Sequence, residues 1–273
     1  MKKRYRRSAC IVLISMILTG CSAQTLEKET LPELVIGGTP YSPYFYKDMD
    51  GEYAGIDVDV AEAACRRIGY TPVFKELAVT DLYTAIENGE VDCLWSCMTM
   101  DGREDEFLWS DPYLYSQRVV MVRADSEINS LADLEGKRAA VQAGSTSERI
   151  IMEQSNDIFP ELSQLTSFRT LGEVFMALRK GYVDAAVGHE CALRVYEVDY
   201  PDEYRFLNMS LRSEKLGVAF KKDYEETTVD QISQVLQEMR EDGTMEEIVE
   251  KYGLNIQKNV YGGSMDGETE TEE

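Results

Sequence analysis

Hydroxyl residues at a predicted helix start give this chain a candidate anion site. Ser145 and Thr146 follow a predicted strand, Lys137–Gln142, and the turn residue Gly144. The free N–H groups of a helix N-terminus attract anions, and neighbouring hydroxyls can donate further hydrogen bonds to them. Serine and threonine also favour this position as helix caps in the absence of a ligand. The pattern therefore predicts an anion site, with helix capping as the alternative.

Aromatic side chains follow another predicted strand. Tyr41 and Tyr44 lie in a turn rich in Gly, Pro and Tyr, directly after the strand Leu34–Ile36. Exposed aromatic rings in such a turn are costly without a partner, which favours a binding role. Trp95 offers an alternative stacking surface, although a tryptophan in a strand is more typical of a core.

The cysteines do not form a metal-binding pattern. Cys93 and Cys97 are separated by three residues rather than two, and the single histidine, His189, is distant in the sequence. We interpret Cys65, Cys93, Cys97 and Cys191 as buried thiols, with a disulfide pair as the alternative. We expect neither a metal site nor a cofactor.

The first residues have the pattern of a secretory signal. Basic residues in Met1–Arg7 precede an apolar run, Ala9–Leu18, that is too short to span a bilayer. Cys21 follows Leu18-Thr19-Gly20, which resembles the lipobox of bacterial lipoproteins. This resemblance implies that residues 1–20 are a signal peptide and that Cys21 is lipidated. Lipid would then hold the protein on the outer face of the cytoplasmic membrane. An ordinary signal peptide is the alternative.

Acidic residues dominate the charge. The chain has 28 Lys and Arg and 50 Asp and Glu, and without the five basic residues of the signal the balance is 23 against 50, a net charge of −27. This balance argues against nucleic acid as a partner. Acidic residues without apolar neighbours after Met265 predict disorder, and we assign residues 257–273 to an acidic tail. Residues 21–32 are interpreted as the lipidated N-terminus and a tether.

Strands and helices alternate in two sets, which indicates an α/β protein with parallel strands. Strand Leu34–Ile36 and helix Val58–Gly69 open the first set. The apolar strand Arg118–Arg123 lies between the sets, and Leu216–Phe220 follows the second. These two extended segments lie on either side of the second set. They predict two lobes, because the chain must leave the first lobe, build the second and return.

The predicted first lobe is therefore discontinuous. It comprises residues 33–122 and 217–256, and the second lobe comprises residues 123–216.

The run Gly55-Ile56-Asp57-Val58-Asp59-Val60 resembles the signature of family 3 bacterial extracellular solute-binding proteins, the polar amino-acid receptors of ABC importers. Further segments resemble this family in the same order, from about Leu34 to Leu254: Ser110–Tyr113, Ser130–Arg138, Gly144–Thr146 and Asp242–Thr244. Asp57 and Asp59 are interpreted as carboxylates that satisfy free N–H groups at a helix start, outside the binding site.

The resemblance implies the type II periplasmic-binding-protein fold, in which each lobe is a mostly parallel sheet flanked by helices and the ligand lies between the lobes. It implies a monomer that captures a polar amino acid or a related small carboxylate and delivers it to an ABC permease, without a catalytic step. One alternative is a dehydratase-like enzyme on the same fold, for which His189 and Glu190 offer acid–base groups. The other is a ligand-sensing domain without transport.

The resemblance also implies a carboxylate-binding arginine. Arg103 lies eight residues before Asp111, at the place of the family arginine that binds a ligand carboxylate through two hydrogen bonds. An exposed ion pair is the alternative for this arginine. Ser96, Met98 and Thr99 are expected on the same side of the carboxylate, although this segment is one residue shorter than the family pattern.

The remaining site positions are implied in the same way. Ser145 and Thr146 are expected to reach the carboxylate from the second lobe, and Tyr41 and Tyr44 to cover the side chain of the ligand. Val79 replaces a second aromatic residue of the family.

The sequence does not decide which residue would bind the ammonium group of an amino-acid ligand. Relatives place an aspartate after the strand that here ends near Gly188, and either His189 or Glu190 occupies that position. Glu190 would preserve the charge match with an amine, whereas a neutral His189 would change it. Both residues could also serve only to begin the next helix.

Overall fold

The structure, a computed structural model, describes residues 31–153, 159–207 and 213–263. The predicted signal peptide, Cys21, most of the tether and the acidic residues after Met265 lie outside these ranges. None of the helices in the described ranges is long and apolar enough to cross a membrane.

Thirteen strands lie within the described ranges. In chain order they are β1 (Glu33–Gly38), β2 (Tyr46–Lys47), β3 (Tyr53–Ala54), β4 (Thr71–Glu76), β5 (Cys93–Leu94), β6 (Leu108–Trp109), β7 (Leu114–Arg123), β8 (Arg138–Gln142), β9 (Gln164–Phe168), β10 (Ala185–His189), β11 (Tyr204–Phe206), β12 (Ser213–Leu216) and β13 (Ala219–Phe220). The α-helices of the same ranges are α1 (Ile56–Ile68), α2 (Leu82–Glu87), α3 (Thr146–Glu153), α4 (Leu171–Arg179), α5 (Glu190–Asp199), α6 (Glu226–Glu241), α7 (Thr244–Lys251) and α8 (Ile256–Asn259).

The strands form two main sheets, one in each lobe. The first sheet has the order β4–β1–β5–β13–β6, and its strands β4, β1 and β5 are parallel. The second has the order β11–β7–β10–β8–β9, and its strands β10, β8 and β9 are parallel. The strands on the other side of each sheet run antiparallel. This arrangement confirms the predicted two-lobed α/β fold.

Two antiparallel strands connect the lobes. Leu114–Gln117 of β7 pairs with β12, and β7 then continues into the second sheet, where Arg118 lies opposite His189 of β10. Residues 118–122 therefore belong to the second sheet, although the sequence pattern assigns them to the first lobe. The predicted strand Arg118–Arg123 is one apolar run between two charged ends, so its pattern does not mark which of the two sheets it joins.

The C-terminal part of the described chain also differs from its prediction. Residues 257–263 were expected to start the acidic tail, yet Ile256–Asn259 forms α8 and Val260 is fully buried. The side-chain amide of Asn259 donates to the Tyr115 carbonyl oxygen of β7 at 3.0 Å. Burial of Val260 in the core of the first lobe and this hydrogen bond hold the segment in place.

Helix α1 begins within the run that resembles the family signature. The first residue of this run, Gly55, must be a glycine for steric reasons. A Cβ atom at Gly55 would lie 2.2 Å from the Tyr44 carbonyl oxygen, and the φ angle of Gly55 is +126°. Only glycine tolerates this close approach in this conformation. The approach lets the Asp57 N–H donate to the Tyr44 carbonyl oxygen at 2.9 Å, which fixes where the Asp57 side chain starts.

The signature carboxylates do not cap α1, contrary to the expectation from sequence. No side chain caps this helix start. Asp57 is buried and accepts hydrogen bonds from Cys97 and Tyr113, and Asp59 accepts from Lys251 and Tyr252. Both carboxylates therefore link α1 to distant segments instead of satisfying the N–H groups of their own helix.

Candidate functional site

A cavity lies between the lobes and encloses about 660 Å³ of empty space, a volume that includes open solvent at its mouth. It lies where β1, β5, β8 and β10 end, and the carboxyl ends of parallel strands are the usual binding edge of open α/β sheets. The residues that line it are Thr39, Tyr41, Val79, Leu82, Ser96, Cys97, Met98, Thr99, Arg103, Arg118, Gln142, Gly144, Ser145, Thr146, Ser147, Leu171, Val187, Gly188 and His189.

The structure brings eight of the eleven predicted site residues to this cavity. These are Tyr41, Ser96, Met98, Thr99, Arg103, Ser145, Thr146 and His189. The three that do not line it are Tyr44 and Trp95, which are buried in the core, and Glu190, which is paired with cations.

Tyr44 and Trp95 are core residues with no exposed surface. The Tyr44 hydroxyl contacts Ser116 at 3.3 Å, and the indole of Trp95 packs edge-on against Tyr113 with ring centroids 5.8 Å apart. The prediction for Tyr44 assumed an exposed ring in the turn. The turn instead folds back, with the Tyr44 N–H donating to the Tyr41 carbonyl oxygen at 2.8 Å, so that Tyr41 reaches the cavity and Tyr44 enters the core.

Glu190 is engaged by two cations outside the cavity. Its Oε1 accepts from Arg194 at 2.6 Å, and its Oε2 accepts from Lys258 of α8 at 3.1 Å. Burial raises the pKa of Glu190, but the hydrogen bonds from Arg194 and Lys258 outweigh burial and lower it overall. Glu190 therefore stays ionised, with its charge already paired.

His189 lines the cavity at the end of β10 and is neutral near pH 7. Burial, followed by the positive charge of Arg118, lowers its pKa to about 4, although Glu214 acts in the opposite direction. Its Nδ1 lies 2.8 Å from the Ser116 hydroxyl, and its ring stands edge-on to Tyr41 at 5.9 Å. These contacts fix the ring, so that a neutral imidazole borders the cavity.

Arg103 lines the cavity from the first lobe, with only 14% of its side chain exposed. Its Nε donates to Glu106 at 2.8 Å, and its Nη2 donates to the Tyr83 hydroxyl at 2.7 Å. The guanidinium also lies about 5 Å from the Phe107 ring centroid. These contacts orient the group for a planar anion, which would compete with Glu106 for its donors.

Loop Ser96–Thr99 lines the cavity with each of its four residues. The Ser96 hydroxyl accepts from the Thr39 N–H at 3.1 Å and donates to the Thr39 carbonyl oxygen at 2.9 Å. Cys97 has a φ of +52°, in the left-handed region, and its N–H donates to Asp57 at 2.6 Å. Thr99 forms a bridge with Leu216 at the end of β12.

The second lobe contributes the start of α3. The Ser145 hydroxyl accepts from the Glu148 N–H at 3.2 Å, as a helix cap does, and also lines the cavity with Thr146. The Glu148 carboxylate accepts from the Gly144 N–H at 2.6 Å. The Ser145 hydroxyl therefore caps the helix and also borders the cavity, and the anion site at this position stays a prediction.

The two lobes touch at the mouth of the cavity. A Cβ atom at Gly144 of the second lobe would lie 2.6 Å from Val79 of the first, and the φ of Gly144 is +71°. Glycine is needed here both for its backbone conformation and for this close approach.

Sequence reasoning missed Arg118, Ser147 and Glu214. Arg118 lies on the crossing strand β7 and donates to Glu214 of β12 and to the Ser147 hydroxyl at the start of α3. A charged residue at the end of an otherwise apolar strand was the available signal for Arg118. Nothing local marks Glu214, because its partner lies 96 positions away.

All four cysteines within the described ranges are buried and unpaired, as expected for core thiols. The described residues contain no cluster of three or more His, Cys, Asp or Glu that could hold a metal ion.

Known proteins resemble the chain over most of its length. The arginine-binding extracellular protein ArtP of Bacillus subtilis is 30% identical over 251 residues, which cover 90% of this chain and 94% of that protein. The histidine-binding periplasmic protein of Salmonella typhimurium is 27% identical over 260 residues, which cover 92% and 97%. An ancestral arginine-binding protein bound to arginine has a similar structure, with a TM-score of 0.72, 29% identity and coverage of 81% of this chain and 97% of that one.

The model of one protein family matches residues 34–255, which contain both lobes and every residue of the cavity. The chain belongs to the bacterial extracellular solute-binding proteins, family 3.

Proposed function

We propose that this protein is the extracytoplasmic solute-binding component of an ABC importer, and that it captures a polar amino acid or a related small carboxylate in the cavity between its lobes. The observation that carries the proposal is the pairing of Arg103 from the first lobe with the hydroxyls of Ser145 and Thr146 from the second around one cavity. A guanidinium and a helix start with hydroxyl donors are the groups that bind a carboxylate well.

Ligand binding is coupled to closure because the donors come from both lobes. A carboxylate that contacts Arg103 and Ser145 together favours the arrangement in which the lobes touch, as Gly144 and Val79 do here. The crossing strands β7 and β12 are the segments about which the lobes can move. A permease that recognises the closed form would then receive the ligand, and a separate ATPase would drive uptake.

At the other end of the ligand we assign the contact to His189 instead of Glu190. His189 borders the cavity, whereas Glu190 is bonded to Arg194 and Lys258. A neutral imidazole with Nδ1 held by Ser116 can accept a hydrogen bond from an amine through Nε2. Tyr41, at the same end of the cavity, provides an aromatic surface for the side chain of the ligand.

The same proposal includes the membrane anchor. Lipid on Cys21 would hold a monomer at the outer face of the cytoplasmic membrane, near its permease. This part rests on the lipobox-like run Leu18–Cys21, which lies outside the described residues.

A ligand screen tests the proposal. The twenty amino acids and a set of small organic acids are added to the purified protein, and the midpoint of thermal unfolding is measured, since a ligand that binds only the folded state raises it. Compounds that raise the midpoint are titrated by calorimetry. We expect at least one polar amino acid or small carboxylate to bind and to be recovered unchanged. Conversion of a bound compound would favour an enzyme, and a screen without binding would contradict the proposal.

A further inference from the structure

The signature carboxylate Asp57 contacts the cavity loop directly, although forty positions separate it from that loop. Its Oδ2 accepts the Cys97 N–H at 2.6 Å, and its Oδ1 accepts the Tyr113 hydroxyl at 2.7 Å. Asp57 is 1% exposed and Tyr113 has no exposed surface. Both oxygens of this buried group are therefore used, one of them on the loop that lines the cavity.

The backbone of that loop is held in an unfavourable conformation at the same point. Cys97 has a φ of +52°, in the left-handed region, which is unfavourable for a residue with a Cβ atom. Such a conformation persists only where surrounding contacts fix it. The hydrogen bond from the Cys97 N–H to Asp57 is the side-chain contact made by the backbone of Cys97 itself.

The conformation of Cys97 determines where its neighbours point. On one side, Ser96 exchanges two hydrogen bonds with Thr39. On the other side, the Met98 carbonyl oxygen accepts from the Gly217 N–H at 3.0 Å, and Thr99 pairs with Leu216. A rotation of the peptide before Cys97 would break one of these attachments, and all four loop residues would leave their places around the cavity.

Burial of the Asp57 carboxylate has a free-energy cost. Capping of α1 does not explain why a carboxylate is present there. Burial raises the pKa of Asp57 to about 7, although the hydrogen bonds from Tyr113 and Cys97 act in the opposite direction. The N-terminus of α1 receives no side-chain cap from Asp57.

We propose that Asp57 is a positioning residue of the binding cavity, which holds Cys97 in its left-handed conformation and thereby orients the loop Ser96–Thr99 toward the ligand. This inference rests on the proposed function, because positioning for a ligand requires that the cavity bind one. Asp57 itself does not line the cavity, so it acts through the loop.

The chain offers two matched controls for Asp57→Ala. Asp59→Asn removes the other signature carboxylate on the same helix, which is bonded to Lys251 and Tyr252 away from the cavity. Tyr113→Phe removes the second hydrogen bond of Asp57 and leaves the bond from Cys97 in place. The two controls test whether removal of other hydrogen bonds of the signature carboxylates changes the loop as much as removal of the bond from the Cys97 N–H to Asp57.

Hydrogen exchange on the ligand-free protein measures the loop without any choice of ligand. We expect Asp57→Ala to speed amide exchange in residues 97–99 by tenfold or more, while Asp59→Asn and Tyr113→Phe leave it near the wild-type rate. Calorimetric titration with L-arginine and L-histidine, the amino acids in the names of the relatives above, measures affinity. Asp57→Ala should lower the affinity for a probe that the wild type binds by about tenfold or more, beyond any fall in thermal stability.

Substitution of Cys97 provides a rescue. Glycine adopts a positive φ without strain, so the double variant Asp57→Ala/Cys97→Gly should recover most of the lost affinity and part of the protection from exchange. If Asp57→Ala does not fold, the larger Asp57→Leu carries the same comparison, because it also lacks an acceptor for the Cys97 N–H.

Two results would overturn the inference. One is unchanged exchange in residues 97–99 of Asp57→Ala. The other is faster exchange spread evenly over the first lobe, with a loss of affinity no larger than in Tyr113→Phe. A wild-type protein that binds neither probe would bear on the proposed function instead, and the exchange experiment alone would then decide the role of Asp57.

Discussion

Arg118 and Glu214 lie on the two crossing strands and form a two-bond ion pair beside the cavity, with Nε to Oε1 at 2.9 Å and Nη2 to Oε2 at 2.5 Å. Their side chains are only 2% and 4% exposed. Arg118 also donates to Ser147 of the second lobe, and Glu214 accepts from Thr99 of the first at 3.4 Å. The ion pair therefore contacts both lobes at the two strands that connect them.

Removal of one member of this pair should destabilise the protein strongly. Burial raises the pKa of Glu214, but the charge and hydrogen bonds of Arg118 outweigh burial and keep it below its ordinary value. Arg118→Met would leave Glu214 buried without a partner, and we expect the free energy of unfolding in urea to fall by about 3–5 kcal/mol. The double variant Arg118→Met/Glu214→Leu should recover most of this loss.

The exposed pair of Lys47 and Glu76 is the control for this experiment. Its atoms are 3.4 Å apart and both side chains are 44% exposed, so Lys47→Ala should lower the free energy of unfolding far less than Arg118→Met does. A cost for Arg118→Met no larger than that of Lys47→Ala would show that the buried pair does not stabilise the fold.

Arg103 should hold the carboxylate of the ligand. Arg103→Ala removes a charge-assisted pair and should lower the affinity for the best compound of the screen by about 30-fold or more, corresponding to roughly 2–5 kcal/mol. Arg103→Lys should not restore it, because an ammonium group lacks the planar fork. Arg67→Ala, which removes an arginine bonded to Asp242 on the surface, should leave the calorimetric affinity unchanged. Unchanged affinity in Arg103→Ala would move the carboxylate site elsewhere.

His189 and Glu190 should affect binding differently although they are adjacent. We expect His189→Phe to lower affinity by about tenfold or more, because the ring loses its hydrogen-bonding nitrogens beside the ligand. Glu190→Gln should change affinity by less than about twofold, but it should reduce the free energy of unfolding by about 1–2 kcal/mol, since Arg194 and Lys258 lose a charged partner. A large loss of affinity in Glu190→Gln would return the ammonium-binding role to that carboxylate.

His189 should also make the folded state sensitive to acid. Its pKa is about 4 in the folded protein against an ordinary value of 6.5, so the unfolded chain binds a proton more readily between these values. The stabilisation is complete above about pH 6.5 and is lost as the pH falls toward 4, by up to about 3 kcal/mol. The charged and titratable groups around the ring are Arg118, Glu214 and Tyr41, and Ser116 bonds its Nδ1.

The contribution of Asp57 to stability has the opposite pH dependence. The contribution of His189 must therefore be isolated by comparing the wild type with a variant. The pKa of Asp57 is raised to about 7, so its contribution is lost as the pH rises through 7. Urea unfolding of wild type and His189→Asn at pH 4, 5, 6 and 7 should show a difference in free energy that shrinks toward low pH. A difference independent of pH would contradict a depressed pKa for His189.

Cys21 should carry the lipid anchor. Cys21→Ser in the producing bacterium should release the protein into the medium or leave it unprocessed, because a serine hydroxyl does not replace the thiol that receives the lipid. Fractionation of cells and mass measurement of the protein test this. A variant that is cleaved and retained in the membrane to the same extent as wild type would exclude lipidation at Cys21.

The sequence alone determined the features that depend on near neighbours. Alternation of strands and helices predicts the two-lobed α/β fold, and Gly144, Ser145 and Thr146 mark a strand followed by a helix start. The resemblance carried by the run from Gly55 to Val60 predicts the family, and the spacing of Arg103 before Asp111 matches the place of the family arginine. Short-range pattern is sufficient for these features because helix starts, strands and turns are set by residues a few positions apart.

Tertiary structure decided which side chains face the cavity. Tyr41 and Tyr44 are three positions apart in one turn, yet one lines the cavity and the other is buried in the core. His189 and Glu190 are adjacent, and the end of β10 directs the first to the cavity, while Lys258 from α8 binds the second. Periodicity alone cannot separate such neighbours, because a turn or a strand end changes the direction of each side chain.

Long-range pairs depended on the fold alone. Asp57 meets Cys97 only because α1 packs beside the end of β5, and Arg118 meets Glu214 only because β7 and β12 pair in one register. A shift of that register by one residue would turn Glu214 to the other face of the strand and leave Arg118 buried without its partner. The register and the packing of these elements are set by the whole core, so no local pattern in the sequence encodes these contacts.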